Sequence, residues 1–242
     1  MTAGQDMNST ISPRSGWLLP LAVFAVTAVL SAIVLGYYLV PAPISFIEEH
    51  PEPTAKTDLV FLSVNGMRLA IPANYIVYRR TRLGGARDDV DLFASLPHFH
   101  GYSDANSQEF ASDSANSAIV YMLVRATPIG MGETERLQRI YMNFIVDPKG
   151  QPGPYGLTEY RFRDDSGYRD QDLFVGAVRG RIAVFRCERA GPRVPGPSCT
   201  RDIKLKRTVA LAFRFKRDRL ADWRNISDGV SALIQTFRTR AR

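Results

Sequence analysis

Asp172-Leu-Phe-Val-Gly-Ala-Val178-Arg179-Gly180-Arg181-Ile-Ala-Val-Phe-Arg-Cys187 holds two runs rich in β-branched and aromatic side chains, parted by two residues. Such side chains suit a pleated, half-buried surface. A two-residue break ending in Gly is a hairpin turn. The stretch therefore predicts two antiparallel strands, Asp172–Val178 and Arg181–Cys187. Working outward, Leu157–Phe162 predicts a strand on the N-terminal side, with Ser166-Gly167 as the turn between. On the C-terminal side, Ile203–Leu205 and Val209–Phe215 predict two more. In the latter, Val209, Leu211, Phe213 and Phe215 alternate onto one face.

The same reading extends upstream. Leu59–Val64 and Met67–Ile71 flank Asn65-Gly66, a type I′ signal because both turn residues need positive φ. Pro72 ends the second strand or places it at a sheet edge. Val90–Leu96 and Ala118–Val124 read as strands, the latter apolar on both faces and so central. Arg79–Asp89 reads as a polar loop, and residues 97–117, rich in Ser, Asp, Asn and Gly, as a long aperiodic one. Two stretches switch to helical spacing. In Glu133–Ile145, Leu137, Ile140, Tyr141 and Phe144 make one stripe. From Asp218 to Arg238, Leu220, Trp223, Ile226, Val230, Leu233, Ile234 and Phe237 make another, with Asp218 as N-cap and Gly229 as a kink. Adjacent strands plus two helices predict an α+β domain with a mainly antiparallel sheet.

One segment belongs to no such domain. Trp17 to Val40 is 24 residues without a charge, with Pro20 near its start and Pro41 and Pro43 just beyond. At ~1.5 Å per residue a helix of that length crosses a ~30 Å hydrocarbon core. Trp17 and Tyr37-Tyr38 would sit in the two headgroup layers. A signal-peptide core is shorter, and Val40-Pro41-Ala42-Pro43 is a poor cleavage site because proline brackets it. The expected organisation is a cytoplasmic tail (1–15), a transmembrane signal anchor (16–40), a Pro/Glu-rich linker (41–57) and an extracytoplasmic α+β domain (58–242). Four prolines and three glutamates make the linker a stiff spacer. Arginine usage and the Pro/Gly content of the loops suggest a bacterial chain. The expected location is the inner membrane, single-pass, with the N-terminus cytoplasmic and the domain periplasmic.

Cys187 and Cys199 bound an eleven-residue loop with three Pro and two Gly. In an oxidising compartment two Cys at the base of one loop should bond. Their spacing is not that of a redox Cys-x-x-C pair, and no His pair accompanies them to make a zinc site.

Catalytic patterns are sparse. There is no Gly-x-Ser-x-Gly, no Walker A and no Gly-x-Gly-x-x-Gly. The acids at Asp88-Asp89-Val90-Asp91 and Asp164-Asp165 sit in predicted turns, where solvated charges are ordinary. His98 and His100 have a metal-ligand spacing, with Asp91 or Asp104 as an oxygen donor, although His-x-His is common on surfaces. The sequons at Asn8 and Asn225 fall in the tail and in a predicted helix, so neither reads as a glycan site.

Charge is uneven within a net of +7. Residues 41–120 carry 6 Lys/Arg against 10 Asp/Glu, and residues 201–242 carry 12 against 4. Arg201, Lys204, Lys206, Arg207, Arg214, Lys216, Arg217 and Arg219 form a basic run that could meet anionic lipid, an acidic glycan or an acidic partner. An ordinary solvated basic surface explains it equally well. No nucleic-acid motif accompanies it.

These features favour a non-enzymatic, membrane-anchored envelope protein whose domain serves as an accessory or binding subunit for another envelope protein, with no cofactor. Capture of a toxin in the periplasm, an immunity-type role, is a special case. Two alternatives are an anchored metal-dependent hydrolase using the 97–117 loop, and anionic lipid or glycan binding through the basic C-terminal segment.

Overall fold

The hairpin at residues 172–187 is present in the computed structural model, as β8 (Gln171–Val178) and β9 (Arg181–Glu188), paired antiparallel along their length. Its turn residues Arg179 and Gly180 have φ of 50° and 74°. The structure describes residues 16–39, 50–112, 114–192 and 194–241, with the side chains of residues 18 and 37–39 left aside. The expected tail and the first part of the linker thus lie outside the described residues, and nothing is described of the Tyr37 and Tyr38 side chains. The chain divides into two compact units between residues 49 and 50.

In the first unit, α1 (Leu18–Leu39) is a 22-residue helix long and apolar enough to cross a membrane. Its large side chains, among them Leu19, Phe24 and Leu30, are exposed. Thr27 donates its hydroxyl to the carbonyl of Val23 at 2.8 Å, so this polar group is satisfied within the helix itself.

The second unit is α+β. Its large sheet runs in the order β4-β5-β11-β10-β9-β8-β7-β6 with every pairing antiparallel. The remaining strands are β4 (Asp89–Ser95), β5 (Ile119–Ala126), β6 (Gln151–Pro152), β7 (Thr158–Arg161), β10 (Ser198–Lys206) and β11 (Val209–Lys216). A three-stranded sheet has the order β2-β1-β3. β1 (Leu59–Val64) and β2 (Met67–Pro72) form the expected hairpin, with φ of 42° at Asn65 and 73° at Gly66, and β2 lies at the edge. β3 (Gly85–Arg87) pairs parallel to β1 inside the stretch read as loop. Three residues, Gly-Ala-Arg, carry no strand signal of their own.

Alternation along the strands assigns side chains to two faces of the large sheet. One face carries Leu92, Met122, Leu211, Phe213, Phe185 and Phe174. It packs against the small sheet (Leu62, Val64, Leu69, Ile71) and α4 (Trp223–Thr239). Trp223 stands edge-on to Phe185, with ring centroids 5.7 Å apart. The opposite face at β7–β9 carries Phe162, Leu173 and Val184 under Leu137, Tyr141 and Ile145.

Both predicted helices are shorter than their apolar stripes. The first stops as α3 (Glu133–Arg139), and a 3-10 turn (Tyr141–Phe144) follows. Ile145 must straighten to bridge Phe162, and the Asn143 side chain takes the Arg139 carbonyl at 2.8 Å. The second begins as a 3-10 turn (Arg217–Asp222) before α4, so Asp218 is not its N-cap. α4 runs unbroken past Gly229, where the Phe99 ring would lie 1.9 Å from an added Cβ. Glycine there makes room for a neighbour rather than a kink. The 97–117 stretch is also more ordered than its composition suggests. It holds a 3-10 turn (Asp104–Asn106), with a capping box between Ser103 and Asn106, and α2 (Ser107–Ala111). Phe110 sits edge-on to Phe93 at 4.7 Å and to Tyr102 at 5.5 Å.

Candidate protein-binding face

On strands β4, β5, β11 and β10 the face turned away from the main core is laid out in register. Asp91, Leu123, Ala212 and Asp202 form one row across the four strands. Phe93, Tyr121, Arg214 and Thr200 form the next. Ala212 is the smallest side chain in its row, and a groove of about 520 Å³ opens there. Pro51, Val77 and Tyr78 line it together with Asp91, Tyr121 and Arg214. The backbone of Val77 donates to the Asp91 carbonyl at 3.1 Å, which covers the outer edge of β4.

Tyr121 is 38% exposed, and the Arg214 guanidinium lies 5.5 Å from its ring centroid. Tyr and Arg are enriched at protein interfaces because each joins a broad contact surface to directed hydrogen bonds. Leu123 adds an aliphatic centre, and Asp91 a charge opposite to that of Arg214. At the β10 end of the first row Asp202 is held by Arg136 at 3.3 Å and Arg186 at 3.4 Å. Nearby, burial pushes the Tyr141 phenol above its ordinary pKa, while Arg186 and Arg136 pull it down. The groove offers aromatic, aliphatic and charged contacts on rigid strands, and its described lining holds no His or Cys.

The expected site residues fall elsewhere. His98 and His100 are exposed, with ring centroids 5.6 Å apart, and Phe99 between them turns inward at φ 58°. Among the described residues no three of His, Cys, Asp and Glu come together as a metal site. Asp91 lines the groove, and Asp104 starts the 3-10 turn. Asp164 and Asp165 pair with Arg161 and Arg163 on the surface.

The basic run is dispersed. Arg201 is 4% exposed and binds both oxygens of Glu133 at 2.9 Å. Glu133 Oε1 also accepts from the Val184 N–H at 3.0 Å. β9 and β10 pair at only three positions, ending at Phe185 and Arg201. The carboxylate thus takes up the ladder where the strands part. Arg217 pairs with the buried Asp172 at 2.8 Å, and Arg189 holds the other carboxylate oxygen at 2.7 Å. Lys216 donates to the Gly196 carbonyl and Arg219 to that of Asn116. Lys204, Lys206 and Arg207 are exposed around the β10–β11 turn.

Cys187 and Cys199 face each other across β9 and β10 and form a disulfide, with Cα atoms 4.0 Å apart in the core. Glu188 closes the Pro-rich loop above it by accepting from the Ser198 N–H at 2.9 Å.

No protein-family model matches the chain, and no curated protein sequence does. Two solved structures share its fold. An immunity protein of the Stenotrophomonas maltophilia type IV secretion system, Smlt3025, superposes with a TM-score of 0.53 at 15% identity, over 75% of this chain and 93% of that one. The iron-regulated outer membrane lipoprotein FrpD of Neisseria meningitidis gives 0.50 at 14%, over 79% and 97%.

Proposed function

We propose that this chain is a single-pass, membrane-anchored bacterial envelope protein whose periplasmic domain captures a protein partner without catalysis. The observation that carries the binding role is the Tyr121–Arg214–Leu123 face, a concave, partly apolar surface on rigid strands. The exposed apolar side chains of α1 support the anchor, and the buried disulfide suits an oxidising compartment. The shared fold adds that such a domain occurs in an immunity protein and in an outer membrane lipoprotein. An immunity role is one form that capture of a partner takes.

The test is purification of the tagged full chain in gentle detergent, with the mass of the complex and the identity of its companions. A stoichiometric companion is expected, and Tyr121→Ala or Arg214→Ala should release it. Hot-spot truncations of this kind cost ~2 kcal/mol or more, a loss of about thirtyfold in affinity. A clean monomer, or a companion indifferent to both substitutions, would remove this face as the binding site. A C-terminal alkaline phosphatase fusion should be active if the domain is periplasmic and inactive if it is cytoplasmic.

A further inference from the structure

A second surface, on the small sheet, combines exposed apolar side chains with bases. Phe61 is 62% exposed, Leu83 81% and Leu59 44%. All three line one open concavity of about 740 Å³, together with Lys56, Arg79 and Arg82. Their juxtaposition is built by backbone geometry. Gly84 has φ 74°, and a Cβ there would meet the Phe61 carbonyl oxygen at 2.6 Å. The chain after the Arg80–Leu83 3-10 turn can therefore press against β1 only as glycine, which sets Leu83 beside Phe61. Arg82 donates to the carbonyls of Glu52 and Ile76, so its charge is fixed in place. Glu52 and Asp58 also line the concavity, where the bases outnumber the acids by three to two.

We infer that this surface docks on an anionic bilayer. The inference rests on the anchored reading above. Large apolar side chains rimmed by Lys and Arg match the boundary between acyl chains and acidic headgroups. Chain continuity favours the same occupant. Glu52 and Pro53, in the wall of the concavity, stand only 13 and 14 residues past Leu39, the last residue of α1. At ~3.1 Å per residue those 13 residues reach about 40 Å even when extended, so this surface stays within tether range of any membrane α1 crosses.

The full chain is reconstituted in vesicles of phosphatidylcholine, alone or mixed with phosphatidylglycerol, that carry a spin-labelled lipid. A fluorophore is placed at Leu83→Cys or, as control, at Asp170→Cys, whose side chain is 91% exposed. Both native cysteines are disulfide-bonded, so the label goes to the new thiol. Quenching is expected at position 83 and not at 170, in the anionic vesicles only, and it should fade as salt rises. Arg79→Ser should lower the docked-to-free ratio about fivefold. Phe61→Ser should lower it about tenfold or more. Equal quenching at the two positions, equal docking in phosphatidylcholine alone, or protection of position 83 that needs a companion protein would each overturn the assignment. Alkaline extraction separates the two readings. A chain washed off the vesicles defeats the anchor, whereas an embedded chain with an unquenched position 83 defeats only the docking.

Discussion

Glu133→Gln isolates the charge that joins α3 to the split between β9 and β10. The glutamine oxygen can still accept from Val184, so the ladder contact survives while the carboxylate opposite Arg201 is lost. For unit charges 2.9 Å apart, Coulomb's law at an effective dielectric of ~20 gives about 6 kcal/mol of gross attraction. Desolvation of both ions offsets most of this, so the pair itself stabilises little. Removing one partner is different, because Arg201 is 4% exposed and cannot regain its hydration. Stranding a buried charge in this way costs ~3–5 kcal/mol. For a domain of this size each kcal/mol moves Tm by ~2–4 °C, so the variant should melt roughly 6–20 °C lower. The assay is thermal unfolding of the full chain in detergent, followed by near-ultraviolet circular dichroism. Glu133→Gln combined with Arg201→Met should recover most of the loss, since an apolar replacement leaves no charge to strand. A single variant within ~1 kcal/mol of wild type, or a double variant no better than the single, would refute the assignment of a buried, mutually dependent pair.

Gly229→Ala should destabilise by ~1–3 kcal/mol although alanine normally favours a helix interior, because the new methyl meets the Phe99 ring; in a Phe99→Ala background, itself less stable for the lost packing, Gly229→Ala should carry no further cost. Reducing Cys187–Cys199, or replacing both by Ala, should cost ~3 kcal/mol in the chain-entropy account of a loop this short, read as a lower denaturant midpoint. Alkaline pH should weaken the fold through Tyr141. Burial raises its folded pKa above the unfolded value near 10, so above about pH 10 the folded state holds the proton that the unfolded state releases. That contribution is whole below about pH 10 and fades above it, and Tyr141→Phe should flatten the decline seen in unfolding curves against pH.

The hairpins were legible because their turns leave little choice. Asn65-Gly66 and Arg179-Gly180 both adopt the left-handed conformation that a two-residue connection requires. β3 was not, since its Gly-Ala-Arg pairs only because β1, some twenty residues earlier, offers an open edge. The helix limits were hidden for a related reason. The stripe of α3 continues through Tyr141 and Phe144, but these residues serve the aromatic cluster with Phe162 and Tyr168 from a 3-10 turn. A stripe records which side chains are buried and leaves the hydrogen bonding beneath them open.

The basic run shows how strand alternation sorts a linear pattern between two faces. Successive residues of a strand point to opposite faces, so the run along β10 and β11 divides: Lys204, Arg214 and Lys216 share the face of Ala212, while Arg201 points to the other. The alternation Cys199, Arg201, Ile203 already places Arg201 on the core side, where an arginine needs a carboxylate, and Glu133 supplies it. Arg214 falls on the other side and lies over Tyr121. The groove itself had no signature because its residues come from four strands and meet only through register. Read in rows, the same rule separates what the large sheet spends on folding from what it leaves for a partner. Phe213 and Phe215 are consumed by the core, while Ala212 and Arg214 between and beside them remain in the open groove. A substitution at Arg214 should therefore change binding with little change in stability, and one at Phe213 should do the reverse.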